Sequence, residues 1–296
     1  MKRFAKHTLA RVGAALVRPH LPPPPPDPRT SPATKIGLTR TFQALQSLAR
    51  SDPSSLPRLG DSGFRIFSQF EEDGLLLYLA AVLELENRIF LDIGASDGVN
   101  SNCANLALNL GWHGLFLEGD EEKIRAGEAF YRHHKDTVLF PPTFVHAFIK
   151  AENINMLVAE GGLSGDIGIC SIDIDGNDCW VWQALDVVSP AVVMIETHIE
   201  FGMRNIAVPY DPEYCYPGRH PDYHGASPVA MCSLASKKGY RLVGANRYGF
   251  NLIFVRNEMF PERIPEVTLE SILQHPRYLA RLPLFEPIKD WEYVSI

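Results

Sequence analysis

Phe90-Leu91-Asp92-Ile93-Gly94-Ala95-Ser96-Asp97-Gly98 is a short apolar run that ends in a glycine-bearing turn. The apolar part, Arg88–Ile93, is too short for a helix and predicts a buried strand. Gly94 lets a backbone approach a ligand with no Cβ in the way, and Gly98 permits a tight turn into a following helix. In a doubly wound α/β sheet, ligands lie beyond the carboxyl ends of the strands, near the reversal in strand order. The turn is therefore a candidate ligand loop as well as an ordinary strand-to-helix connection. The next glycine after Gly94 falls at the fourth position, not the second, so the dinucleotide fingerprint is absent.

Downstream, helix and strand signals alternate. A helix is predicted over Asn102–Leu110, ended by Gly111. A strand follows at Gly114–Leu117, then a polar helix at Glu121–His134. A third strand lies within Val138–Ile149, broken early by Pro141-Pro142. Strands at Ile167–Ile174 and Ala191–Thr197 flank a helix at Asp178–Leu185. Tyr223–Gly239 carries a helix. Tyr240–Ala245 and Phe250–Arg256 are strands joined by a tight turn, so they must be antiparallel, because a parallel crossover needs about a dozen residues. The layout predicts an α/β fold: a Rossmann-like, doubly wound, mostly parallel seven-stranded sheet with an antiparallel C-terminal hairpin.

Upstream, Ser68 and Glu71 read as a capping box for a helix running to about Glu86. Its apolar run Leu75–Leu83 is too short to span a bilayer. Residues 1–63 are expected to be largely irregular. Lys2, Arg3, Lys6, Arg11 and Arg18 come with no acid before Asp27. Phe4, Leu9, Val12 and Leu16 could line one side of a helix, which makes residues 1–28 a candidate for peripheral membrane or protein contact. Pro22–Pro26 reads as a polyproline spacer. Thr39–Arg50 reads as a short helix, and Asp52–Gly63 as loop. The main domain is placed at residues 64–260, with a C-terminal extension at 261–296.

The 296 residues carry a net charge of -7, and no basic stripe marks the central region, which argues against a nucleic-acid partner. The five cysteines are odd in number and none is spaced CxxC, so a reducing, cytoplasmic setting is expected. Cys215, His220, His224 and Cys232 cluster in sequence, but their spacing fits no zinc signature. Oligomeric state has no readable signal.

Glu118 closes the second strand, about 24 residues beyond Gly94 and near the ~20 expected of a ribose-binding acid. With the glycine turn it forms a nucleoside-binding pair, and an acid at Asp92 or Asp97 suits a cationic ligand. Ser171-Ile172-Asp173-Ile174-Asp175-Gly176-Asn177-Asp178 follows the fourth strand. Asp173 and Asp175 point to one side if the strand continues. They could orient a hydroxyl, act as general base, or hold Mg²⁺. One acid in the block is expected to cap the next helix. Glu196 and His198 should open onto the same cleft, and His198 could be a general base, since the unperturbed pKa of a histidine lies near neutrality. The Pro/Tyr/His-rich stretch Phe201–Gly225, which includes His224, should wall the pocket.

These blocks resemble the FkbM-like methyltransferase family: Ser68–Gly74 (SQFEEDG), Phe90–Gly98 (FLDIGASDG), Gly114–Gly119 (GLFLEG), Ser171–Trp182 (SIDIDGNDCWVW) and Pro190–Glu196 (PAVVMIE). Gly225-Ala226-Ser227 and Lys238–Arg256 are similar to it too, so the resemblance covers roughly Phe64–Arg256. It implies S-adenosylmethionine-dependent O-methylation of a sugar, glycan or natural-product hydroxyl. By position it implies cofactor contacts at Asp92, Gly94, Asp97, Gly98 and Glu118, and Ala95, within the same turn, is a further candidate for the cofactor. It places Asp173, Asp175 and Glu196 toward the acceptor; beside the resemblance, Asn177, Asp178 and His224 are candidates for substrate contact and His198 for catalysis. The chain departs from the family pattern at Asp97 and at Thr197-His198. The rival readings are a metal-dependent hydrolase or phosphotransferase built on Asp173, Asp175, Asp178, Glu196 and His198, and a scaffold that keeps the fold without catalysis.

Overall fold

A computed structural model of the chain describes residues 27–296. The expectations for the basic segment and for Pro22–Pro26 lie outside the described residues. At the centre stand seven strands: β1 (Ile89–Ile93), β2 (His113–Glu118), β3 (Thr143–His146), β4 (Gly165–Ile172), β5 (Val188–Glu196), β6 (Tyr240–Ala245) and β7 (Asn251–Arg256). They form one sheet in the order β3-β2-β1-β4-β5-β7-β6. The first five are parallel, and β7 runs antiparallel to both β5 and β6. This is the expected doubly wound, mostly parallel seven-stranded sheet with an antiparallel C-terminal hairpin.

The strands read as continuous apolar runs because both faces are covered. On one face pack α1 (Pro32–Ser51), α2 (Glu72–Val82), α3 (Ala104–Leu110) and α4 (Glu121–His133), around Leu76, Leu79, Phe90, Phe116 and Tyr131. On the other pack α5 (Ile154–Glu160), α6 (Asp178–Ala184) and α7 (Pro228–Lys237), around Leu91, Ile93, Val158, Trp182 and Phe254. Phe90 and Leu91 thus serve opposite cores, as a two-residue period requires. Gly111 ends α3 with φ 69, the left-handed value expected from its place after the helix.

Two expectations are corrected. Residues 1–63 are not irregular where they are described: α1 is a 20-residue helix, capped by Ser31 accepting from the Thr34 amide, with Pro32 in its first turn. It is fastened by Lys35 Nζ donating to the Leu108 carbonyl at 2.7 Å, and by Asn109 Nδ2 donating to the Arg29 carbonyl at 3.0 Å. Ser68 and Glu71 form no capping box, since α2 starts four residues after Ser68, at Glu72. Asp73 instead accepts from the amides of Ile66, Phe67 and Ser68 at 2.6, 2.6 and 2.9 Å, and from Ser68 Oγ. The third strand, Thr143–His146, lies within the expected Val138–Ile149 and starts just after Pro141-Pro142, which supply no amide donors.

Residues beyond 260 are built into the same body. Short helices α8 (Leu269–Ile272) and α9 (Pro276–Arg281) are followed by a 3-10 turn over Leu282–Ile288. Leu269, Leu273 and Tyr278 join the core under β6 and β7. Val294 pairs antiparallel with Ala207. No helix among the described residues is long and apolar enough to cross a membrane.

Candidate functional site

Strand order reverses between β1 and β4, and a cleft of about 920 Å³ opens beyond the carboxyl ends of the strands there. Gly94 and Ser96 after β1, Glu118 after β2, Asp173–Asp175 after β4, and Glu196–His198 after β5 all line it.

The β1 turn is held to β2 by Leu117, whose carbonyl accepts from the Gly94 and Ala95 amides at 2.9 and 3.0 Å. Gly94 has φ 85, and a Cβ there would lie 1.7 Å from the Asp173 carbonyl oxygen. Its first requirement is thus the closeness of the β1 and β4 loops. Ser96 follows at φ 53, an uncommon conformation for a residue with a Cβ. That turn aims the Ser96 amide at Glu118 Oε2, 2.8 Å away, while Glu118 Oε1 accepts from the Asp120 amide at 3.0 Å. Each carboxylate oxygen keeps a further lone pair, so the group remains able to accept from a diol.

Four of the six expected cofactor residues do other work. Asp92 is buried under the turn, where it accepts from Ser101 Oγ and from the Cys103 amide at 3.3 Å. Burial pushes its carboxyl up to about 6, against the pull of those hydrogen bonds. Ala95 is buried. Asp97 closes the turn by accepting from the Val99 and Asn100 amides at 2.9 and 2.8 Å. Gly98 backs onto Phe144 and Phe116. Only Gly94 and Glu118 of that set reach the cleft.

The clustering expected of Asp173 and Asp175 has a different cause. The strand ends at Ile172, so alternation does not place Asp173 and Asp175 together. A left-handed Asp175, φ 55, turns the loop back instead. Oxygens of Asp173, Asp175 and Glu196 then lie within 4.8 Å of one another. Burial pushes the Asp173 carboxyl well up, and the charges of Asp178, Asp175 and Asp92 push the same way. Glu196 is raised by burial and then by Asp173, Asp178 and Asp175. Asp178 stands outside the group: its two oxygens accept from the Ile174 and Gly176 amides at 2.8 and 2.9 Å, shaping the loop ahead of α6. Asn177 lines the cleft but gives its amide group to the Asp211 carbonyl at 2.8 Å.

His198 faces the cleft as a held ring. Its Nε2 lies 2.9 Å from the Asp222 carbonyl and its Nδ1 lies 3.5 Å from Glu200. Burial pushes it down to about 4, so it is neutral across the range where a histidine base would work. His224 packs against it, ring centres 4.3 Å apart, and is likewise pushed down to about 4 by burial and then by His198. Cys215, His220, His224 and Cys232 form none of the possible metal groups found among the described residues.

Several wall residues carry no readable mark in the sequence. Gln69 and Phe70 come from the loop before α2, and Lys123 from α4. Arg277 and Arg281 come from α9, where Arg281 Nε donates to buried Glu200 and its other nitrogen lies 3.6 Å from Asp222. Tyr214 packs over Gly176, and its hydroxyl is buried with no hydrogen-bond partner among the described residues.

No family model matches the sequence, and no curated protein matches it. Among solved structures, the chain is similar to the N-terminal domain of EvdMO1 with SAH bound, at 15% identity and TM-score 0.44, covering 72% of this chain and 96% of that one. It is similar to the SAH-bound methyltransferase PaMTH1 of Podospora anserina, at 11% identity and TM-score 0.41, covering 85% and 96%. It is also similar to an O-methyltransferase from Bacillus cereus in complex with SAH, at 11% identity and TM-score 0.40, covering 74% and 89%.

Proposed function

We propose that this chain is an S-adenosylmethionine-dependent O-methyltransferase acting on a hydroxyl of a small molecule or glycan, in keeping with its resemblance to the FkbM-like family. The observation that carries the reading is Glu118. It stands at the end of β2, braced on the glycine turn, at the switch point and in one cleft with three clustered carboxylates. A carboxylate so placed accepts from both hydroxyls of a ribose.

When bound, S-adenosylmethionine supplies a methyl group already activated by its sulfonium. The residues then have to position the acceptor oxygen, exclude water and take one proton. Asp173 and Glu196 are suited to taking the proton, because burial and the crowding of like charges raise their proton affinity above that of an ordinary carboxylate. Asp173, Asp175 and Glu196 also fit a hard divalent cation such as Mg²⁺, since all three offer oxygen ligands at close range. They would hold it beside the acceptor hydroxyl and neutralise the acids' mutual repulsion. Withdrawal of Asp178 and His198 from that group weighs against the hydrolase reading, which needed both.

Calorimetry with S-adenosylmethionine and its demethylated product tests the proposal. Wild type should bind both at micromolar strength, and Glu118→Gln should bind at least tenfold more weakly while melting normally. Chelation of divalent metal should leave this binding in place and remove turnover. No binding to wild type, with or without Mg²⁺, would refute the reading.

A further inference from the structure

A second group of ligand-type side chains lies in the cleft wall, apart from Asp173, Asp175 and Glu196. His198, Glu200 and Asp222 bring one imidazole nitrogen and two carboxylate oxygens within 4.8 Å of one another, and all three line the cleft. His198 and Glu200 directly follow β5, and Asp222 reaches them from the Phe201–Gly225 wall. Arg281 is the one cation paired with the two acids: its Nε donates to Glu200 Oε1, and its other nitrogen stands 3.6 Å from Asp222. One guanidinium beside two carboxylates leaves a net negative charge in a buried place.

The hydrogen bonding of His198 fixes its tautomer. Its Nε2 lies 2.9 Å from the Asp222 carbonyl oxygen, which can only accept, so Nε2 carries the proton. In the neutral ring Nδ1 then presents a bare lone pair. Among the described residues no hydrogen bond reaches Nδ1, and 3.5 Å away it meets Glu200 Oε2, the oxygen that Arg281 leaves free. Two lone pairs thus face each other on residues only 7% and 3% exposed. That confrontation is unfavourable until a cation lies between them.

We propose that His198 Nδ1, Glu200 and Asp222 form a binding site for Zn²⁺. An imidazole with carboxylates suits Zn²⁺, whereas the all-oxygen group of Asp173, Asp175 and Glu196 suits Mg²⁺. The 3.5 Å between Nδ1 and Oε2 is close to the ~3.3 Å that separates two ligands of a tetrahedral ion with bonds of about 2.0–2.1 Å. The ring is already oriented by its Nε2 bond to a backbone carbonyl, the arrangement that metal-binding histidines use to aim the other nitrogen. Three protein ligands leave one position open to an oxygen in the cleft. The bound ion joins the end of β5 to the cleft wall, whether or not methyl transfer is the reaction.

Calorimetry of the full chain with Zn²⁺ tests this, in excess Mg²⁺ so that the all-oxygen group is occupied. Wild type should bind Zn²⁺ at micromolar strength or tighter, and should melt at a higher temperature with it. His198→Gln and Asp222→Asn should each lose at least tenfold in affinity, whereas Asp173→Asn and Cys215→Ser should keep it. Asp222→Asn retains the backbone carbonyl that holds His198, so it decides the matter if His198→Gln fails to fold. Absence of Zn²⁺ binding by wild type, or unaltered binding by Asp222→Asn, would overturn the proposal. So would an equal loss in Asp173→Asn, because the ion would then sit among the oxygens of the β4 loop, and so would a loss in Cys215→Ser, which would place it on the exposed thiol.

Discussion

At the scale of single residues, position in the chain and position in the cleft are separate matters. Asp92, Asp97 and Asp178 read as ligand-binding acids beside Glu118 and Asp173, because one residue type serves both purposes. The difference is which donors the folded loop brings: Asp92 meets Ser101 and Cys103, and Asp178 meets two amides of its own loop. Of the acids read from the loops after β1, β2, β4 and β5, Glu118 and the group of Asp173, Asp175 and Glu196 line the cleft. His198 gives the clearest test of that separation. Its proton affinity in the fold is about 4, below the ordinary 6.5 of the unfolded chain, so between those values the unfolded state binds more protons. Its stabilising contribution is complete above about pH 6.5 and is lost as pH falls toward 4. Asp92, raised to about 6, runs in the opposite sense below that pH, so the wild-type curve alone mixes the two. The stability gap between wild type and His198→Gln isolates the histidine. In urea titrations it should shrink by about 2 kcal/mol between about pH 7 and pH 5. A constant gap would mean that the ring is not held neutral.

At the scale of elements, SQFEEDG has a structural role that its acids conceal. Asp73 gathers the three amides of the preceding loop. Glu72 accepts from Asn246 and Asn251 Nδ2 at 3.0 and 3.1 Å, and Glu71 pairs with Arg247 at 2.8 Å, so the start of α2 is tied to the β6–β7 turn. That arrangement sets Gln69 and Phe70 at the cleft wall. The capping-box reading failed because the same acids met stronger partners across the fold, where no local pattern points. Asp73→Ala would leave three loop amides, those of Phe67 and Ser68 buried, without an acceptor. It should cost about 3 kcal/mol and lower the melting temperature by roughly 6–12 °C in a calorimetric scan. A change under about 1 kcal/mol would show that the loop finds other acceptors.

At the scale of the whole molecule, the cleft is completed by a segment that the sequence places outside the main domain. Arg281 holds Glu200, which is only 3% exposed, and approaches Asp222, so α9 closes the wall that carries His198 and His224. Arg281→Ala leaves a buried carboxylate without its cation. About 2–4 kcal/mol of stability should be lost, with a rise in acceptor KM larger than any fall in kcat. Equal stability of variant and wild type would mean that Glu200 is neutralised elsewhere. What the sequence determined by itself is the sheet and the two loops that open onto its switch point. Short apolar runs, glycine turns and the tight C-terminal turn are local signals, and alternating strands and helices leave few ways to cover both faces. What only the tertiary structure decided is which acids face the cleft, the length of α1, and the closure of the cleft by α9. Those depend on donors and charges far apart in the chain, such as Arg281 and Glu200, whose meeting no local pattern encodes.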